Sequence, residues 1–202
     1  MSYTTELEAI NTMLSAVGSS PLNSLAAPLG AEAAIAQNIL LETRREVLQR
    51  GWVFNTERKL EMLVDSTTNE VSVGENILRI DGSEGYNGNM DLVQRSGKLY
   101  DRYNHTHTID GSKVTVDVTY FLNWNDCPEV ARRYMMIRAA RVFADRIVGY
   151  NHQHRFTQVD EYQAMADLRE AEGSTGDYSM LTGNWDVHRV VRRGSPLRDV
   201  GF

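Results

Sequence analysis

Only one cysteine and four prolines occur in 202 residues. A single cysteine excludes an intrachain disulfide scaffold and any cysteine-based zinc site. It fits a chain made in a reducing cytosol. No apolar run approaches the roughly 18 residues needed to span a bilayer. Residues 1–6, Met-Ser-Tyr-Thr-Thr-Glu, have no basic stretch and no apolar stretch behind it, which predicts that no signal peptide is present. Positive charge is also in deficit. The net charge of −6 argues against a general nucleic-acid binder. What remains, 42% hydrophobic and 24% charged residues, is the composition of a soluble globular chain with an ample core. The length suits one domain, or one domain carrying an insertion.

Helical periodicity appears first. Leu7, Ile10, Leu14 and Val17 line one helical face, and Thr5 with Glu8 forms a capping-box signature before it. Gly18 suits the left-handed position just past the end. The stretch from Ser19 to Pro28 reads as an irregular connection. A second helix is predicted from about Gly30 to Arg50, with Ala33/Ala34, Leu40/Leu41 and Val47/Leu48 recurring every seven residues. Arg44, Arg45 and Arg50 lie in its C-terminal half, where cations suit the helix dipole. Gly51 marks the stop. Trp52 and Phe54 follow at strand spacing, so both side chains should point the same way.

From about Asn55 to Asp126 the period falls to two. Val71–Val73, Ile77–Ile80, Leu92–Gln94 and Lys98–Tyr100 are short strand candidates, and Lys113–Tyr120 is the clearest strand. Helices then resume. Pro128 is suited to a first helical position. Val130, Tyr134, Ile137, Ala140, Ala144 and Ile147 form a stripe that Met135, Met136, Ala139 and Phe143 widen, so this helix should be the most buried. Gly149 ends it. A fourth helix, about His154 to Glu172, carries Phe156, Val159, Tyr162, Met165, Ala166 and Leu168. The expected fold is therefore α+β: a four-helix bundle from residues 1–54 and 127–172, a small antiparallel β domain inserted at 55–126, and an extended C-terminal arm at 173–202.

Signatures of reaction chemistry are weak. The sequence has no Walker A loop, and Gly82-x-x-Gly85-x-x-Gly88 is a turn cluster with no helix start behind it to hold a phosphate. Asp81, Glu84 and Asp91 do not match an EF-hand and read as a solvated loop. His105 and His107 on one strand face can chelate a metal, as can His152 and His154. Neither pair has a predictable third ligand, and surface histidines account for both. Cys127 reads as a small buried hydrophobe rather than a nucleophile. Trp52 and Phe54 read as packing where helix meets sheet, with a ligand platform as the alternative. Paired carboxylates for glycoside hydrolysis are available among 27 acids, but sequence alone cannot test their separation. No metal and no cofactor is expected.

The last thirty residues differ in composition from the rest. Residues 1–180 hold 17 basic and 25 acidic side chains, whereas His188 to Arg198 contain four arginines and no acid. Aromatic and apolar anchors lie around them: Tyr178, Met180, Leu181, Trp185, Val190, Val191 and Phe202. Disordered tails are usually poor in aromatics, and Arg and Trp dominate interface energetics. A segment of this length reaches about 100 Å when extended, at about 3.3 Å per residue. The reading is a docking arm whose partner-binding residues are Tyr178, Met180, Leu181, Trp185, Arg189, Arg192 and Arg193.

Four segments in order carry a resemblance: Leu14-Ser-Ala-Val-Gly-Ser-Ser-Pro-Leu-Asn-Ser-Leu25, Arg50-Gly-Trp-Val-Phe-Asn55, Pro128-Glu129 with Ala139-x-Arg141-x-Phe143-x-x-Arg146-x-x-Gly149, and Tyr178-Ser-Met-Leu-Thr-Gly183. Tyr100-Asp101-Arg102 is a lesser match. Together they resemble tail tubular protein A, the adaptor or gatekeeper of short-tailed bacteriophages. The resemblance spans most of residues 5–183 and implies a non-enzymatic virion protein, made in the host cytoplasm and placed at the head–tail junction. Twelve copies would form a ring between portal protein and tail nozzle protein, with genomic DNA passing through the centre without specific binding. The helical part would pack laterally and against the portal. The β part would face the nozzle, with the tail fibre as a further partner. The alternative from another class is a tail-associated glycan hydrolase.

Overall fold

The computed structural model describes residues 3–26, 29–83, 87–88, 90–149 and 158–175. Four α-helices appear there: α1 (Glu6–Ala16), α2 (Ala31–Leu48), α3 (Glu129–Ile147) and α4 (Gln158–Thr175). Five strands lie between α2 and α3: β1 (Thr56–Leu63), β2 (Ile77–Gly82), β3 (Leu92–Arg95), β4 (Lys98–Asp101) and β5 (Lys113–Tyr120). Single 3-10 turns at Val53–Asn55 and Trp124–Asp126 carry the chain from helix to sheet and back. The class is α+β, as the switch in period implies.

Local chemistry sets the ends of α1. Glu8 N donates to Thr5 Oγ1 at 3.2 Å and Thr5 N donates to Glu8 Oε2 at 2.7 Å, so two otherwise orphaned donors are satisfied reciprocally. At the other end Gly18 adopts φ +80°, Ser19 N donates to Leu14 O at 3.0 Å, and Gly18 N donates to Ser15 O at 3.3 Å. That is a Schellman closure, which needs the left-handed residue that glycine supplies at least cost. Asn11 then pins the following loop, donating to Leu22 O at 2.9 Å and accepting from Leu22 N at 2.7 Å. Thr5→Ala should cost about 1 kcal/mol, read as a lowered urea midpoint with an unchanged slope.

Helix α3 is central, packing against each of the other three. Tyr134, Met135, Ala139, Ala140 and Phe143 are buried with Ile10, Met13 and Leu14 of α1 and Ile39, Leu40, Val47 and Leu48 of α2. Its double apolar stripe foretells this position. Pro128 is the N-cap, one residue before the helical position expected for it, with φ −64° and ψ 153°. Its fixed φ suits either place, and the extended ψ excludes it from the helix. Helix α4 corrects the sequence reading more strongly. Its buried residues are Glu161, Ala164 and Leu168, while Val159 is 75% and Tyr162 76% exposed. Leu168 and Met165 of the expected stripe do pack on the core, but the helix is turned so that Glu161 faces α3 and Val159 and Tyr162 face out. It also runs to Thr175, past the expected end at Glu172, and Phe156 lies outside the described residues.

The larger sheet is antiparallel in the order β1-β5-β2, and β3 pairs with β4 in a hairpin beside β2. Central β5 buries Val114, Val116 and Val118 in a second apolar cluster with Val71, Val73, Ile80, Leu92, Leu99 and Ile109. Val71–Val73, expected as a strand, makes only one bridge, Ser72 to Lys98. Strand β1 was absent from the sequence reading because Glu57, Arg58, Lys59 and Glu61 mask its alternation. A bulge between Glu57 and Leu60 then breaks it. Lys59 sits in the bulge at φ +58°, and its N–H donates to Asp117 Oδ1 at 2.8 Å.

Candidate functional site

The helix-to-sheet junction is held by one buried amide. Asn55 Nδ2 donates to Leu48 O at 2.9 Å and to Tyr120 O at 2.8 Å, and its Oδ1 accepts from Trp52 N at 2.7 Å. It thereby joins the end of α2, the 3-10 turn and the end of β5. Trp52 donates from Nε1 to Val47 O at 2.8 Å and stacks with Phe54 at 6.5 Å between ring centroids. The two rings do point the same way, through a 3-10 turn and not a strand, and both pack against the helical core. Helix α4 reaches the same point, where Val53 N donates to Glu172 Oε2 at 2.6 Å. A cleft of about 420 Å³ opens beside it, lined by Gly51, Trp52, Thr56, Arg58, Arg79 and Asp117 among others. Asp117 there is engaged by Lys59 N–H and by the Ser83 hydroxyl.

The return from sheet to helix is tied to the N-terminal segment. Arg132, buried, donates to Cys127 O, Thr4 O and Asn125 O at 2.8, 3.1 and 2.6 Å. Thr4 O also accepts from Trp124 Nε1 at 2.8 Å, and Glu129 accepts from Thr4 N at 2.9 Å. Cys127 sits inside this knot as a small buried hydrophobe. Burial pushes its thiol up to about 11, so little thiolate exists at neutral pH.

Charge docks α4 on α3. Glu161 accepts from Arg138 NH1 and from Arg141 Nε, each at 2.5 Å. Arg138 also holds Glu46 of α2 at 2.7 Å, and Arg141 reaches Asp145 at 3.3 Å. Burial pushes the Glu161 carboxyl up, but hydrogen bonds and attraction from Arg141 and Arg138 outweigh it and hold it below the usual carboxylate range. A lowered native value means that the stabilisation is present at neutral pH and is lost as pH falls through that value. Apolar burial on α4 is slight, so the effect should be local. Glu161→Gln should raise amide exchange in α4 by about tenfold at pH 7 while α1 to α3 stay protected. The difference from the unsubstituted chain should shrink as the pH drops below the usual carboxylate range.

Sequence reasoning missed Asn55, Arg132 and Glu161 as organising residues. Arg132 and Glu161 meet partners 128 and 23 residues away, and Asn55 reaches Tyr120 across 65, so their joining roles carry no local signal. The histidine reading is also altered. His105 adopts φ +57° in an exposed turn, and His107 Nδ1 lies 2.9 Å from Leu99 O against the Tyr100 ring. They therefore do not present one strand face to an ion; His152 and His154 lie outside the described residues. Among the described residues no three His, Cys, Asp or Glu side chains converge on a metal-sized site. Nor is any helix there long and apolar enough to cross a membrane. The expected partner-binding residues Tyr178, Met180, Leu181, Trp185, Arg189, Arg192 and Arg193 all lie outside the described residues.

The family described as tail tubular protein (Tube) matches residues 7–178. The chain belongs to the tail tubular protein family. It is therefore a structural protein of a phage tail and a component of the virion. No curated protein matches it. Three of the segments that carried the resemblance now have physical roles in this tail tubular protein. Leu14 to Leu25 closes α1 and is pinned by Asn11; Arg50 to Asn55 is the junction; Arg141 and Phe143 of α3 face α4 and the core. The match ends at position 178, so the arginine-rich segment lies beyond it.

Proposed function

We propose that this chain is a subunit of the adaptor ring between portal and tail nozzle of a short-tailed phage. Family membership over residues 7–178 is the observation that carries this reading. A closed ring needs two different faces on each subunit, related by rotation. Residues 1–54 and 127–172 would supply the lateral and portal-facing contacts. Residues 55–126 would face the nozzle protein and the tail fibre. The segment after Gly183 would bridge to the portal or to a neighbouring subunit, where tethering raises its effective concentration. Genomic DNA would pass through the centre. The body is acidic, and the channel lining is proposed to be acidic or neutral, because a basic lining would hold DNA through many phosphate contacts.

Native mass measurement of the purified chain, alone and with portal, tests this. The expected result is an assembly approaching twelve copies on the portal. A chain that stays monomeric in the presence of portal overturns the reading. A version ending at Gly183 should join portal rings far less well than the full chain. Equal joining would remove the tail from the mechanism.

A further inference from the structure

The outer face of α4 carries two of the exposed large hydrophobic side chains among the described residues. Val159 and Tyr162 stand out from it, and exposed Ala166 continues their line, seven and four residues on. Asp160, Asp167 and Glu170 border that line, and Arg169 is the one basic residue of the helix. The other two acids are spent inward, Glu161 on Arg138 and Arg141, and Glu172 on the Val53 N–H. What faces out is an apolar strip with an acidic border.

Directly after α4, the same chain carries the chemical complement of that strip. Trp185, Val187, Val190 and Val191 lie there among Arg189, Arg192 and Arg193, and Asp186 is the one acid from Trp185 to Arg198. The ten residues from Thr175 to Trp185 reach about 33 Å when extended, longer than the roughly 27 Å of an 18-residue helix. The segment can therefore leave its own subunit and lie along a whole helix of the next.

We propose that residues 185–193 of one copy dock on the outer face of α4 of a neighbouring copy. Trp185 and the valines cover the strip of Val159, Tyr162 and Ala166, and the arginines meet Asp167 and Glu170. The proposal rests on the ring reading above and names the surface that receives the tail. A tail handed from subunit to subunit makes the contact heterologous, the kind that propagates round a ring.

Disulfide trapping tests it, because the native Cys127 is buried and does not compete. A Tyr162→Cys chain is mixed with a tagged Trp185→Cys chain, assembled with portal and mildly oxidised. The control pairs Trp185→Cys with Tyr103→Cys, an exposed position on the β part. The expected result is a mixed disulfide several-fold above the control, suppressed when Asp167→Lys and Glu170→Lys are added to the Tyr162→Cys chain. A yield at or below the control overturns the proposal, as does a chain carrying both Tyr162→Cys and Trp185→Cys that closes only within itself. Native mass of the same samples separates the two readings. Rings without the mixed disulfide sink the docking surface alone, whereas monomers throughout sink the ring as well.

Discussion

Replacing Arg132 with alanine is expected to cost about 3–5 kcal/mol of unfolding free energy. The guanidinium is buried, with the residue 5% exposed, and it donates to three carbonyls from two pieces of chain: Thr4 near the N-terminus, and Asn125 and Cys127 in the turn before α3. Hydrogen bonds from a charged donor are each worth about 1.5–3 kcal/mol, and the Cys127 carbonyl, whose bond is buried, loses its partner without gaining water. Thr4 O would keep its bond from Trp124 Nε1 and Asn125 lies at the exposed surface, so Cys127 bears most of the loss. Urea titration should show a large fall in midpoint. Arg132→Lys should recover little, because one ammonium cannot reproduce a planar fork aimed at three acceptors. A loss under about 1 kcal/mol would mean that the knot is dispensable.

Asn55→Ala is expected to cost about 2–4 kcal/mol. The residue is 1% exposed and makes three hydrogen bonds to α2, the 3-10 turn and β5. Aspartate has the same shape but no N–H donor, and would set a carboxylate against the carbonyls of Leu48 and Tyr120. Asn55→Asp should therefore be at least as damaging as alanine at pH 7. The measurement is the same titration on both variants. If Asn55→Asp proved neutral, the amide would not be the link between helices and sheet.

Much of this architecture could be read from sequence because local physics controlled it. The Thr5–Glu8 box, the Gly18 closure and the β-branched run of β5 each act within a few residues. Where a distant partner decided the outcome, the reading failed. Val159 and Tyr162 look like a core stripe, but Arg138 and Arg141 claim Glu161 and turn the helix the other way. The alternation of Leu60 and Met62 was the sole trace of β1, and the bulge at Lys59 cut it short. The residues predicted to bind partners were chosen by composition, which marks a sticky segment without saying where it lands.

The kink at Lys59 has a consequence for the free subunit. Among the described residues β1 pairs with no strand but β5, so it is an edge strand, and Leu63 at its end is 79% exposed. An open edge of eight residues repeated in many identical molecules is a template for stacking into fibrils. A left-handed lysine in the middle, with Glu57, Arg58 and Glu61 around it, twists and charges that edge so that copies cannot zip together before they reach their place in the virion.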